Sequence, residues 1–455
     1  MKLLVKDKAF YRTFFSMTGV IALQNLITFA VNLADNIMIG GYSQTALSGV
    51  AIVNQIQFLL QMLMLGTGSA IGVLGAQYWG KKELDPIRKA TSVGVLLGVM
   101  ISAVMMALVF FFPTQAMGLL TNEQAVIQEG SKYLVIICFS YVLFAISNNL
   151  LSALRSVETV KIGFVVNLIA LVVNIILNYG LIYGRMGLPE MGVRGAAIAT
   201  LTARVVEFIV VVLHVRFWDK KICWRAKNLL HIDKVMFRDF IRVGMPLILA
   251  NGIWGVAMSV QTAILGRLGE DTIAANYIAT TIFQVVSVVT YAASTSSGVI
   301  IGKTVGEGDI PRVKAYTRTM QILFLGIGLM TGLVLYSCTD LIISMYDVTP
   351  AAAELARQFI LVLSVTVIGT SYQCSCLTGI VTGGGDTKFV LINDLIHQWL
   401  IVIPSAFLSA FVFHGPMWLT FACLKADQIL KCFVAIVKVN RYRWIHVLTR
   451  DAENE

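Results

Sequence analysis

Long apolar runs recur along this chain, each broken by a few polar and mostly basic residues. Crossing roughly 30 Å of hydrocarbon takes about 20 helical residues, and at that length the pattern predicts twelve spans. The first six cover 13–39, 46–76, 90–112, 132–154, 161–184 and 193–215. The second six cover 239–265, 273–302, 319–338, 355–380, 389–412 and 417–437. Of the 455 residues 57 % are hydrophobic and only 13 % charged, with a mean hydropathy of +0.79. A soluble domain is nearer 25 % charged, so a single water-soluble core is excluded. The expected class is an all-α polytopic membrane protein.

The sequence also meets itself at an offset of 226 residues. Arg12 falls on Arg238, Phe14 on Phe240, Leu23 on Leu249, Asn25 on Asn251, Gly40 on Gly266 and Gly80 on Gly306. At the same offset Gly72 and Val73 meet Gly298 and Val299. This predicts two pseudo-symmetric six-helix bundles: an N-lobe at 1–216, a charged linker at 217–235 and a C-lobe at 236–455. Six is an even number, so both halves enter the membrane from the same side. They should be related by an axis along the membrane normal, with a cavity between them near the midplane. Small residues spaced by four, at Gly68/Gly72, Gly94/Gly98 and Gly328/Gly332, should let helices pack closely.

The net charge of +10 changes the picture only through its distribution. With alternating spans, 27 of the 35 Lys and Arg fall on one side. The other side carries Lys132, Arg185, Arg194, Arg267 and Arg357, while Arg204, Lys425 and Lys431 lie inside spans. By the positive-inside rule both termini should be cytoplasmic, which makes the excess a topology signal with no nucleic-acid reading needed. The first apolar run is too long, and lacks the small-residue site, for a cleavable signal peptide. Seven cysteines, mostly within spans and without a metal-like pair, argue against both a disulfide framework and a zinc site.

Polar residues inside spans are expensive and tend to mark a pathway. Asp35 is the only charged residue between Arg12 and Lys81. It shares one helical face with Asn25, Thr28 and Asn32, and Asn167, Asn174 and Asn178 repeat the spacing on the fifth span. The two stripes can line one wet cavity, or the amides can simply bond between helices. A lone carboxylate is a poor adhesive and favours the cavity. In the second half, Asp394 and His397 lie at i, i+3, and Asp427 and Lys431 at i, i+4 beyond Lys425. These are either locally neutralised charges or a second polar cavity for a charged solute. Arg204 and Glu207 read as a neutralising pair. No GxSxG, HExxH or Walker A motif occurs, so neither an enzyme nor a cofactor is expected. Uphill transport would need an ion gradient.

Several stretches resemble the multidrug and toxic compound extrusion (MATE) family, in the larger flippase superfamily. They are "ALQN", "NLADNIMIGG" and "ALSGVA" near the first span, then "NIILNYG" and "MGVRGAAIATL" in the fifth and sixth. The inner loops "AQYWGKKELDPIRKA" and "IGKTVGEGDIPRVKA", and the junction "LTGIVTGGGDTKFVLIND", resemble the family as well. The resemblance spans essentially the whole chain. It implies a monomer in the cell membrane that exports amphipathic, often cationic drugs by H⁺ or Na⁺ antiport, with lipids around it. It would place the cation site at Asp35, Asn174, Asn178 and Thr200. Some members carry an acid where Asn178 stands, a first-span proline where Val20 stands, and a seventh-span acid near Trp254. Asp386 matches a family acid but is placed as well for helix capping.

Asp35 lies roughly 33 Å of helix beyond Arg12, toward the outer side. A neutral carboxyl is cheaper to bury than a carboxylate, which demands water, a cation or a rearrangement. Protonation would thus bias inward- against outward-open states. The alternatives are a flippase for a lipid-linked precursor on a similar fold, favoured by a strongly cationic cavity, and a membrane-embedded enzyme. For the latter, Asp394 with His397 is the sole candidate.

Overall fold

The computed structural model describes residues 4–230, 232–344, 346 and 348–450. The first half forms α1 (Lys8–Tyr42), α2 (Gln44–Gly80), α3 (Leu84–Phe111), the short α4 (Pro113–Gly118), α5 (Gln124–Ile137), α6 (Ser140–Ser156), α7 (Lys161–Tyr183) and α8 (Val193–Leu213). The second half forms α9 (Lys234–Gly266), α10 (Glu270–Gly306), α11 (Ile310–Ser337), the short α12 (Thr339–Ile343) and α13 (Pro350–Cys374). It ends with α14 (Thr387–Leu395), α15 (Ile403–Phe407), α16 (Met417–Leu424) and α17 (Asp427–Asn440). The described residues contain no strand, only a lone bridge between Gly385 and Ile445.

Among the described residues, ten helical segments are long and apolar enough to cross a bilayer. The other two expected spans, 132–154 and 417–437, are broken. α5 and α6 meet at a 53° bend and together make an eleventh; nothing in the local sequence explains the bend. The last span divides at Lys425 into α16 and α17, of 8 and 14 residues. The result is the twelve-span, all-α polytopic fold. Lipid is its solvent: Phe111, Leu119, Leu400 and Phe413 are each at least 70 % exposed, a pattern that water would punish.

The span at 389–412 is less regular than the sequence suggests. After α14 it runs through a wide turn at Ile396–Val402, the one-turn α15, and a second wide turn at Leu408–Val412. Pro404 lacks the N–H that an unbroken helix would use there, and i→i+5 turns are the usual local repair.

Two compact units emerge. One comprises Leu23–Gly75 and Glu83–Ile248. The other takes the chain up to Ala22, Ala76–Lys82, and the chain from Leu249 onward. Both α1 and α9 therefore change unit partway. They do so after Ala22 and after Ile248, positions equivalent under the 226-residue offset. The buried Phe14 packs near Phe10 and Phe324 in the second unit. Its repeat partner Phe240 is just as buried, in the first.

The repeat is also visible where the end of α2 crosses the end of α10, inside the second unit. A Cβ on Gly80 would overlap the Lys303 carbonyl, and one on Gly306 would overlap the Gln77 carbonyl. Gln77 and Lys303 are themselves equivalent under the offset, as are Ala76 and Gly302, which also touch. Residue i meeting j while j meets i is the mark of a two-fold contact. Gly306→Leu should therefore force this crossing apart, at a cost of about 1–3 kcal/mol or more. The check is the melting temperature in detergent against Gly326→Ala, where a Cβ meets nothing within 4 Å. Equal melting of the two variants would contradict the crossing.

Of the spaced glycines, Gly68, Gly94, Gly98, Gly328 and Gly332 sit against a neighbouring helix, whereas Gly72 faces open space. Ahead of α1, Asp7 accepts hydrogen bonds from the Tyr316 hydroxyl (2.8 Å) and the Ala9 amide (2.9 Å). Chiefly the Tyr316 bond holds its carboxyl below the usual range. This anchor is present at neutral pH and is lost only as pH falls through that lowered value.

Candidate functional site

The end of α7 and the start of α8 are joined so tightly that their faces are fixed against each other. Gly192 has φ +53°, and a Cβ there would enter the Tyr42 ring. A Cβ on Gly195 would overlap the Leu181 carbonyl, and the Met191 amide donates to that same carbonyl (2.8 Å). The glycines of "MGVRGAA" thus serve close approach and a left-handed turn. They bring Thr200 of α8 opposite Asn174 of α7.

From there a hydrogen-bond chain runs to Asp35. Asn174 Nδ2 donates to Thr200 Oγ1 (3.2 Å) and Asn174 Oδ1 accepts from Asn178 Nδ2 (3.1 Å). Asn178 Nδ2 also donates to Asp35 Oδ1. Asn174 and Asn178 are fully buried and Asp35 is 8 % exposed. Asn178 Oδ1 has no protein partner. A buried oxygen without a partner is costly unless solvent or an ion meets it.

Asp35 lines a cavity of about 50 Å³ inside the first unit. Thr28 and Asn32 line it from α1, Asn54, Gln57 and Gln61 from α2, and Tyr133 from α5. Asn167 and Asn174 on α7, with Thr200, Arg204 and Glu207 on α8, complete its polar wall. Gln57 Nε2 is buried without a partner, so a polar occupant suits the space. It has room for a few waters or one small ion, whereas a drug-sized ligand needs ~300 Å³ or more.

The two polar stripes read from the sequence meet as well. Asn167 Nδ2 donates to Thr28 Oγ1 (3.0 Å), and Thr28 donates to the Gln24 carbonyl (3.1 Å). Asn25 does not line the cavity. The spacing of Asn54, Gln57 and Gln61 marks a polar face of α2, while nothing in the sequence pattern points to Tyr133. Arg204 Nη1 and Glu207 Oε2 pair at 2.7 Å, as the sequence suggests, but on the cavity wall.

The second unit holds a different arrangement. Lys431 Nζ is 2.8 Å from Asp394 Oδ1 and 3.3 Å from Asp427 Oδ2, tying α14 to α17. Gln428 Nε2 reaches both Asp427 oxygens (3.0 Å each), and Gln373 donates to Gln428 Oε1 (2.8 Å). Lys425 lies outside this network, with its ammonium 5.7 Å over the Phe421 ring. The structure does not bring His397 and Asp394 together as a pair: His397 Nδ1 meets the Asn393 carbonyl at 2.9 Å. Asp394 also lines a small cavity with Trp254 and Gln398. Asp386 caps α14 at the Phe389 amide (3.4 Å) and pairs with Lys438 at 2.6 Å. Among the described residues no group of His, Cys, Asp and Glu could hold a metal.

A model of the MatE family matches residues 21–180 and 246–408. The chain is 24 % identical over 440 residues to a probable multidrug resistance protein NorM of Thermotoga maritima, covering 95 % of this chain and 93 % of that one. It is also 24 % identical over 447 residues to a NorM homologue of the same description from Listeria monocytogenes, covering 97 % of both. Its fold is similar to the crystal structure of a mutant of the Vibrio cholerae MATE transporter VcmN. There the TM-score is 0.87 at 16 % identity, over 97 % of this chain and 99 % of that one.

Proposed function

Because the chain belongs to the MatE family, we propose that it is a secondary active exporter that exchanges amphipathic, often cationic small molecules for H⁺ or Na⁺. The observation that carries this reading is Asp35, a buried carboxylate on an ion-sized cavity inside one unit. An ionised Asp35 keeps the Asn178 N–H as a hydrogen-bond donor and needs a counter-cation. A protonated Asp35, or one holding Na⁺, is neutral and needs neither. The two forms favour different helix arrangements, and a ligand shifts such an equilibrium by the difference in its affinity for them. Drug and ion exchange through the alternation of inward- and outward-open states. The small cavity accommodates the ion, and drug is accommodated elsewhere.

The experiment is efflux of the fluorescent cation ethidium from vesicles holding the purified protein. An imposed pH gradient and an imposed Na⁺ gradient are tested separately. Export driven by one or both supports the reading; export at the same rate with neither overturns it.

We also propose that the protein is a monomer in the cell membrane, surrounded by lipid, with both termini cytoplasmic. Lys82, Lys314 and Arg267 are all exposed, so cysteines there can be labelled. Labels at 82 and 314 should react from the cytoplasm and the label at 267 from outside. Positions 82 and 314 on opposite sides would rule out two halves of the same orientation.

A further inference from the structure

The Arg204–Glu207 pair is not needed to bind the ion at Asp35, yet it shares the same cavity. Glu207 is 4 % exposed and Arg204 Nη1 lies 2.7 Å from its Oε2. The guanidinium carbon sits 5.0 Å over the Phe144 ring of α6, which fixes it from the other side. A pair with only a structural task needs no contact with the cavity. This pair lines the wall instead, alongside the partnerless Gln57 amide.

Asp35 comes from α1, Tyr133 from α5, and Arg204 and Glu207 from α8, while α2 and α7 bring only amides among their polar groups. With Tyr133 neutral, the wall carries one positive and two negative charges when Asp35 is ionised. It is neutral when one monovalent cation neutralises Asp35.

We propose that Arg204 and Glu207 set the charge of this cavity, so that it accepts one monovalent cation per cycle. The inference rests on Asp35 being the exchange site. Arg204 offsets one of the two carboxylates, so an empty cavity carries a single negative charge. Without Arg204 the charge would be double, and a second cation or a divalent ion would be favoured. Without Glu207 the ionised cavity would be neutral, and entry of the cation would lose its electrostatic drive. Both are positioning residues; neither needs to touch the drug.

The signs follow from Coulomb interaction with Asp35. The readout is the pH at which ethidium binding to the purified protein is half lost. Arg204→Gln removes a positive charge, so the proton is held longer and the midpoint moves up by about one pH unit. Glu207→Gln removes a negative charge and moves it down by a similar amount. Arg204→Lys keeps the charge and leaves the midpoint near wild type, as does the double variant Arg204→Gln/Glu207→Gln. If Arg204→Gln does not fold, Glu207→Gln alone decides, because a structural pair predicts lower yield with an unmoved midpoint. Midpoints that stay at the wild-type value in the folded single variants overturn the inference. An Asp35→Asn control keeps the two readings apart. If its binding is independent of pH while the α8 variants shift nothing, only this inference fails. If Asp35→Asn keeps the wild-type pH dependence, the exchange site itself is wrong, and this inference falls with it.

Discussion

Asp35→Asn should fold, reach the membrane and bind ethidium, yet lose gradient-driven export by roughly 100-fold, near the upper end of usual coupling energies. Asparagine has nearly the volume of aspartate and retains an oxygen to accept the Asn178 N–H. It therefore preserves packing while removing the charge. An amide neither releases a proton nor holds a cation as a carboxylate does, so the variant behaves like the ion-loaded form. A ligand with equal affinity for both forms shifts nothing, and a permanently neutral site leaves the gradient no grip. Asn178→Ala should cost less, because it takes away a donor and leaves the charge. Asn174→Ala should cost less again, since it acts through Asn178. Expression, ligand affinity and efflux measured together separate these cases from misfolding. A reversed order, with Asn174→Ala worse than Asp35→Asn, would contradict the chain of bonds that leads to the carboxylate.

The largest expected effect on stability lies in the other unit, at Lys431. Its side chain is 5 % exposed and bridges Asp394 and Asp427 across two helices. Lys431→Met leaves two carboxylates close together without a cation. Breaking a buried pair in this way costs about 3–5 kcal/mol, because the uncompensated charge remains behind. The melting temperature in detergent should fall by several degrees and the yield with it. Asp427→Asn should cost far less, about 1 kcal/mol, because Lys431 keeps Asp394 and Gln428 still has an oxygen to meet. Replacing all three, as Asp394→Asn/Asp427→Asn/Lys431→Met, should recover most of the loss, as uncharged replacement of buried ionic groups often does. A Lys431→Met protein that melts with the wild type would show that the network does not hold these helices together. A stable triple variant that has lost export of some substrates would place the network in a solute path.

How much of this was legible in the sequence depended on how far each feature is decided within one helix. The long spans were, because lipid forces every lipid-facing position to be apolar and a helix repeats that demand for 20 residues or more. α1 and α2 therefore appear where the apolar runs lie, a few residues longer at each end. The break at Lys425 and the bend between α5 and α6 were not, since both fall inside runs whose composition suits an unbroken helix. Nor were the wide turns flanking α15, which depend on packing as well as on Pro404.

The same distinction applies to the site. Asp35, Asn174 and Asn178 could be grouped because a lone acid is conspicuous in an apolar run and amides four apart share a face. Thr200 entered through the family resemblance alone, and its bond to Asn174 depends on the turn at Gly192 and Gly195. Tyr133 could not be found in this way, whereas Gln57 shares a readable polar face with Asn54 and Gln61. An isolated phenol in a span looks the same whether it bonds a neighbour or faces a cavity. For Arg204 and Glu207 the sequence reveals the pairing, at i, i+3, but their place on the cavity wall depends on how α8 is rotated against α1.

If an ion leaves or enters Asp35 each time drug crosses, drug alone should drive ion movement. Vesicles containing the protein, with no pH or Na⁺ gradient, are given ethidium on one side. A pH-sensitive dye is enclosed, and Na⁺ flux is followed in parallel. Wild-type protein should move H⁺ or Na⁺ in the direction opposite to ethidium, and Asp35→Asn should move neither ion. Ethidium crossing wild-type vesicles with no counter-movement of either ion, or Asp35→Asn exchanging ions as the wild type does, would rule out ion exchange at Asp35.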